Sequence, residues 1–218
     1  MSTDPSNSTD RRSFLQAGAL ATATAVSLGS GLDTHAQEAS AKALSIPRRP
    51  LGKTGVDVTI LDAGTGKGAG LQRILRYAYS QGIRCFDTSE RYQSEPDFKL
   101  WFQQEPEVRK QIFVVTKDLP RTPAQIMGKL DQRLANMGTD YLDLFFIHSF
   151  GDNHALDETI NFVKSREFKE AADAIRKSGK ARFVGISTHH KNRAQILEAA
   201  AQAVSSGSSC ASRSEYPS

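Results

Sequence analysis

Tyr141-Leu142-Asp143-Leu144-Phe145-Phe146-Ile147-His148 is an apolar run that closes on a histidine, and its reading decides the fold. The run has strand length, and its near-continuous apolar character suits a strand buried on both faces, as in a parallel sheet covered by helices. Ile83-Arg84-Cys85-Phe86, Gln111-Ile112-Phe113-Val114-Val115-Thr116 and Ala181-Arg182-Phe183-Val184-Gly185-Ile186-Ser187 have the same form. Val56-Asp57-Val58-Thr59-Ile60-Leu61 is predicted as the first strand, after a short linker marked by Pro47 and Pro50. Between the runs, Leu71, Ile74, Leu75, Ala78 and Tyr79 recur at helical spacing until Gly82 stops them. Further helices are predicted over about 123–137, 168–178 and 193–204. The runs end near 87, 117, 148 and 187, which are 30 to 39 residues apart, the length of a βα unit. The class is therefore α/β, with five strands. The pattern fits either an open doubly wound sheet or a (β/α)8 barrel.

Composition narrows the function classes. The 218 residues are 39% hydrophobic and 24% charged, which is enough for one sizeable core and excludes disordered and coiled-coil chains. Lys and Arg number 28 against 24 Asp and Glu, a net +4 scattered along the chain, so no nucleic-acid partner is indicated. Cys85 and Cys210 are too few for a disulfide framework or a cysteine metal site. The longest uncharged stretch, residues 13–32, is interrupted by Gln, Thr, Ser and Gly, so no transmembrane anchor is expected.

At the N-terminus, Asp10-Arg11-Arg12-Ser13-Phe14-Leu15-Gln16 precedes a weakly apolar stretch and then Ala39-Ser40-Ala41, an A-x-A cleavage pattern. This resembles a twin-arginine export signal; Thr34-His35-Ala36 is a poorer cleavage site. The resemblance implies a signal peptide at 1–41 and a processed, periplasmic protein beginning near Lys42, exported by the bacterial twin-arginine machinery. The βα domain then occupies 42–204, and a polar, disordered tail occupies 205–218.

Two sets of residues compete for the function. Leu61-Asp62-Ala63-Gly64-Thr65-Gly66-Lys67-Gly68-Ala69-Gly70, with Asp87 some twenty residues on, is close to a dinucleotide-binding fingerprint. It also looks like the glycine-rich first motif of S-adenosylmethionine methyltransferases. It is not a phosphate loop of the P-loop kind, because Gly68 stands where a Ser or Thr should bind magnesium. The second set consists of polar residues at the C-terminal ends of apolar strands, where barrel enzymes keep their chemistry. Asp87 to Tyr92 follow the second strand, Thr116-Lys117 end the third, His148 the fourth, and Ser187-Thr188 the fifth. A buried lysine and a buried aspartate are costly unless paired, so they are expected to pair.

Phe86-Asp87-Thr88-Ser89-Glu90-Arg91-Tyr92-Gln93-Ser94-Glu95, Val115-Thr116-Lys117, Gly138-Thr139-Asp140-Tyr141 through His148, and Gly179-Lys180-Ala181 through Ser187 together resemble the aldo/keto reductase family. The resemblance runs from about Leu51 to about Ala200. It implies a (β/α)8 barrel and reduction of an aldehyde, ketone or sugar carbonyl with NADPH (or NADH). Tyr92 would be the acid, Lys117 would tune it, Asp87 would pair with Lys117, and His148 would orient the carbonyl. Such a set suits the reaction: a phenol is a reluctant donor near neutrality, and a neighbouring ammonium favours its anion. Cofactor contacts would come from Gly64, Thr65, Asp87, Ser187 and Thr188; Thr188 stands where the family usually has Asn. His189 and His190 lack acidic or cysteine partners at ligand spacing, so no metal site is expected.

A barrel of this family has eight strands, and about five βα units are legible here. After Ala203 the sequence turns Ser-rich, with no strand signal. The resemblance implies three further strands, an aromatic stacked on the nicotinamide, and basic residues at the adenosine 2′-phosphate. A partial barrel is therefore expected, truncated at its C-terminus, that binds NADPH weakly and turns over little. The alternative is a non-catalytic exported remnant or assembly domain.

Overall fold

The computed structural model describes residues 45–205 and 210–214. The chain divides between Ala41 and Lys42, and the description concerns the second unit. The signal-like segment, with Arg11 and Arg12, lies outside the described residues.

A short antiparallel hairpin opens the described chain. Strand β1 (Arg48–Pro50) pairs with β2 (Asp57–Thr59). Gly52 (φ 54) and Gly55 (φ 73) supply the left-handed conformations of its turn, closed by a hydrogen bond from Leu51 N to Val56 O at 2.8 Å. This corrects two sequence expectations: Pro50 belongs to a strand and not a linker, and Val56 to Leu61 do not begin the parallel sheet. Alternation at Val56 and Val58 is genuine strand patterning, but those side chains cap the inner apolar cluster while Asp57 points to solvent.

The sheet proper runs β3 (Asp62–Gly64), β4 (Cys85–Asp87), β5 (Phe113–Asp118), β6 (Leu142–Ile147), β7 (Ala181–Thr188) and β8 (Cys210–Ser214), hydrogen-bonded in that order with every pair parallel. Sequential order without reversal is barrel winding, since a doubly wound sheet changes direction at a switch point. The fold is thus α/β, a partial barrel, with six strands and not five. Strand β8 corrects the expectation of a strandless tail: it pairs with β7 from Val184↔Cys210 to Thr188↔Ser214. A parallel ladder is made by backbone groups, so a Ser-rich sequence can extend it without an apolar signature.

Helices α1 (Leu71–Ser80), α2 (Glu95–Gln104), α3 (Val108–Gln111), α4 (Ile126–Met137), α5 (Leu156–Lys164), α6 (Arg166–Lys177) and α7 (Arg193–Ser205) lie along the connections. In α4, Ile126, Leu130, Leu134 and Met137 form a buried stripe, and Gly138 (φ 61) ends the helix. Sequence periodicity did not reveal α2, α3 or α5. In α2, Glu95 is buried beside Phe98, Trp101 and Phe102, so a charge interrupts the apolar stripe.

Two apolar clusters sandwich the sheet. One, including Phe86, Val114, Phe145, Val184 and Ile186, faces the helices. The other, comprising Val58, Cys85, Phe113, Val115, Leu144, Phe146 and Phe183, lies on the opposite face. Period-two alternation continues this inner face upward into Asp87, Lys117, His148 and Ser187 at the strands' C-terminal ends. The outer positions between them, Thr116 and Asp118, meet helices instead.

Candidate active site

Lys117, on β5, is 1% exposed and donates from Nζ to Asp87 Oδ1 at 2.5 Å and to the Thr88 carbonyl at 3.2 Å. A buried ammonium is tolerated only with such partners. Its Nζ also lies 4.8 Å from the centroid of the Tyr92 ring. Tyr92 closes a 3₁₀ turn, Glu90–Tyr92, whose cap is Ser89, and its ring meets His148 edge-on with centroids 6.0 Å apart. His148 is buried just beyond β6, its backbone N–H donating to the Asp118 carbonyl at 2.8 Å. Asp87, Tyr92, Lys117 and His148 are thus brought together at one end of the sheet.

Apart from Thr65, which the resemblance placed at the cofactor, the supports of this group were not singled out from the sequence. Ser94 Oγ lies 2.8 Å from Thr65 Oγ1 and 2.5 Å from Thr88 Oγ1, while Thr65 Oγ1 and N–H both donate to the Asp87 carbonyl. Behind β5, Glu95 accepts from Thr116 Oγ1 at 2.9 Å and from Arg133 Nη1 at 3.0 Å, and Arg133 Nε pairs with Asp118 at 3.1 Å. Burial pushes the Glu95 carboxyl up from its ordinary value, against the opposing pull of Arg133. Glu90 behaves oppositely. Burial would raise it, but hydrogen bonds from His148 and Ser89 and the charge of His148 outweigh burial and bring it from 4.5 to about 2. No linear spacing ties Ser89 and Glu90 to a histidine 58 residues away, so sequence patterns were silent about them.

The candidate cofactor residues divide. Ser187 is fully buried, and its Oγ has no hydrogen-bond partner among the described residues. An orphaned hydroxyl at the same end of the sheet as Asp87 and Lys117 fits a residue suited to an amide such as that of a nicotinamide. Gly64 lies within β3, opposite Asp87 in register, with open space where a side chain would stand. It is therefore strand and not the turn that a dinucleotide fingerprint requires. Thr188 Oγ1 is already committed, donating to Asp152 Oδ1 at 3.2 Å. His190 is buried, and its Nδ1 accepts from Asn192 N–H at 2.9 Å, a local turn contact. No cluster of metal-ligand side chains occurs among the described residues. Next to His148 opens a cavity of about 140 Å³, lined by Leu119, Arg121, Phe150, Asp152 and Phe162 among others.

Residues 67–208 match the Aldo/keto reductase family, well over half of the chain. The chain belongs to the aldo/keto reductase family. L-glyceraldehyde 3-phosphate reductase of Escherichia coli K12 is 29% identical over 172 residues, covering 68% of this chain and 47% of that one. NADPH-dependent alpha-keto amide reductase of Saccharomyces cerevisiae is 31% identical over 111 residues, covering 49% and 33%. A crystal structure assigned as a 2,5-diketo-D-gluconic acid reductase B superposes with a TM-score of 0.57 at 29% identity, covering 73% of this chain and 53% of that one. The chain spans about half the length or less of the curated relatives it matches. No helix among the described residues is long and apolar enough to cross a membrane.

Proposed function

We propose that this aldo/keto reductase site reduces a carbonyl, that of an aldehyde, ketone or sugar, with NADPH (or NADH) as hydride donor and Tyr92 as proton donor. The observation that carries the reading is the buried Lys117 ammonium, held by Asp87 and placed over the Tyr92 ring. The nicotinamide, when bound, supplies the hydride; Ser187 on β7 and Gly64 and Thr65 at the end of β3 would hold it, and Thr188 would contribute only on leaving Asp152. Tyr92 passes its hydroxyl proton to the carbonyl oxygen as negative charge develops there. The phenolate left behind is stabilised by the Lys117 charge, which Asp87 orients. His148 lies across the Tyr92 ring, beside the cavity a substrate would enter, and directs the carbonyl oxygen.

Turnover is measured at saturating NADPH. Aldehyde-dependent loss of NADPH absorbance is expected, with Tyr92→Phe lowering turnover by at least about a hundredfold and circular dichroism unchanged. Turnover that survives Tyr92→Phe would overturn the reading.

The Arg11-Arg12 pair and the Ala39-Ser40-Ala41 exit support a second proposal, export of a processed form beginning near Lys42. Replacing both arginines with lysine is expected to leave the precursor in the cytoplasm; unchanged processing would sink this.

A further inference from the structure

We propose that Glu90, together with Ser89, is a positioning residue that fixes where His148 carries its protons. Three distances define the arrangement. His148 Nδ1 lies 2.9 Å from Ser89 Oγ and 3.3 Å from Glu90 Oε2, and Ser89 Oγ donates to that same Glu90 oxygen at 2.6 Å. Ser89 has a single hydroxyl proton, and it is spent on Glu90. Its oxygen also accepts from Arg91 N–H at 3.3 Å, leaving one lone pair toward the imidazole. Glu90 as a carboxylate has no proton to offer. Both neighbours of Nδ1 are therefore acceptors, and Nδ1 must be the donor.

The consequence is chemical. With Nδ1 protonated, a neutral His148 presents a lone pair at Nε2, which repels a carbonyl oxygen and suits only a hydroxyl. His148 can donate to a carbonyl only as the doubly protonated imidazolium, whose charge the Glu90 carboxylate offsets. Among the described residues, the other charged or titratable groups at this corner are Arg91, whose Nε lies 3.3 Å from Glu90 Oε1, Tyr92, at 6.0 Å between ring centroids, and Lys117 and Asp87 behind it. The neutral tautomer suits the alcohol and the imidazolium suits the carbonyl. This part rests on the reductase reading; the tautomer assignment does not.

The imidazole ¹⁵N signals of the full chain, recorded across pH, read the proton positions directly. His148→Gln identifies which signals belong to His148. In the wild type, neutral His148 is expected as the Nδ1–H form. In Glu90→Gln, a terminal amide replaces a pure acceptor, and the Nε2–H form should appear; Glu90→Asp should restore the wild-type pattern, which a merely structural role would not. Ser89→Ala, which leaves the carboxylate in place, should keep the Nδ1–H form with a weaker preference. A wild-type His148 that is Nε2–H when neutral, or a pattern indifferent to Glu90→Gln, overturns the proposal. If the tautomer behaves as stated but no Tyr92-dependent reduction occurs at saturating NADPH, the reductase reading fails and the Glu90 assignment stands.

Discussion

Glu90 shows how one residue's environment becomes a stability term. Its carboxyl is held at about 2 against an ordinary 4.5, and its side chain is 21% exposed. A folded-state value below the unfolded one adds stability above pH 4.5, and that stability is lost as pH falls through about 2. After allowance for solvent screening, about 2 kcal/mol is expected. Urea unfolding of Glu90→Gln should therefore show it less stable than wild type near neutrality, with the gap closing between those two pH values. A gap that stays constant with pH would contradict the assignment. Gly151 makes a steric case. Its φ is +77, and a Cβ there would run into Thr159 Cγ2. Gly151→Ala is expected to cost about 2 kcal/mol, read from the urea midpoint, because both backbone and packing object. The same loop walls the cavity beside His148.

Strand β5 is the element on which the site depends, because its two faces perform different tasks. Phe113, Val115 and Lys117 point inward, and Thr116 and Asp118 point toward α2 and α4. Arg133 bridges Glu95 and Asp118, carboxylates 2% and 1% exposed. Arg133→Met would leave both without that partner, and a loss of about 3–5 kcal/mol is expected in chemical denaturation. Replacing Glu95 by Gln as well should recover part of the loss, since the pair interacts and the two effects should not add. Simple additivity would show that Arg133 acts through packing alone.

At the scale of the molecule, stability and chemistry occupy opposite ends of the sheet. Asp143, at the start of β6, accepts from Arg109 Nη1 at 3.0 Å, Val114 N–H at 2.9 Å and Arg182 Nη1 at 2.9 Å. Arg109, itself buried, also stacks on the Tyr141 ring at 3.8 Å. His148 stands five residues further along, roughly 16 Å at strand rise. Asp143→Ala is expected to destabilise the fold by about 3 kcal/mol by removing the carboxylate that neutralises buried Arg109, while the ¹⁵N signals of His148 stay unchanged. Movement of those signals would mean that the two ends are coupled.

The sequence by itself determined the α/β class, the four central strands and the placing of Asp87, Lys117, His148 and Ser187 at strand ends. Those features follow from local rules: an apolar run buried on both faces, a period of two, and polar residues where the run stops. Local patterning left the direction of winding open between a doubly wound sheet and the barrel that the family resemblance implied; tertiary structure decided it, because strand order is a relation between distant segments. It also showed that Val56 to Thr59 cap the inner cluster while Asp62–Gly64 joins the sheet, since a short alternating run looks the same in either role. The strand at Cys210–Ser214 rests on backbone pairing with β7, which leaves no side-chain signature. The Ser89–Glu90–His148 contact was invisible for a related reason. Hydrogen-bond partners 58 and 59 residues apart are set by how two loops meet above the sheet, and no spacing in a chain records that.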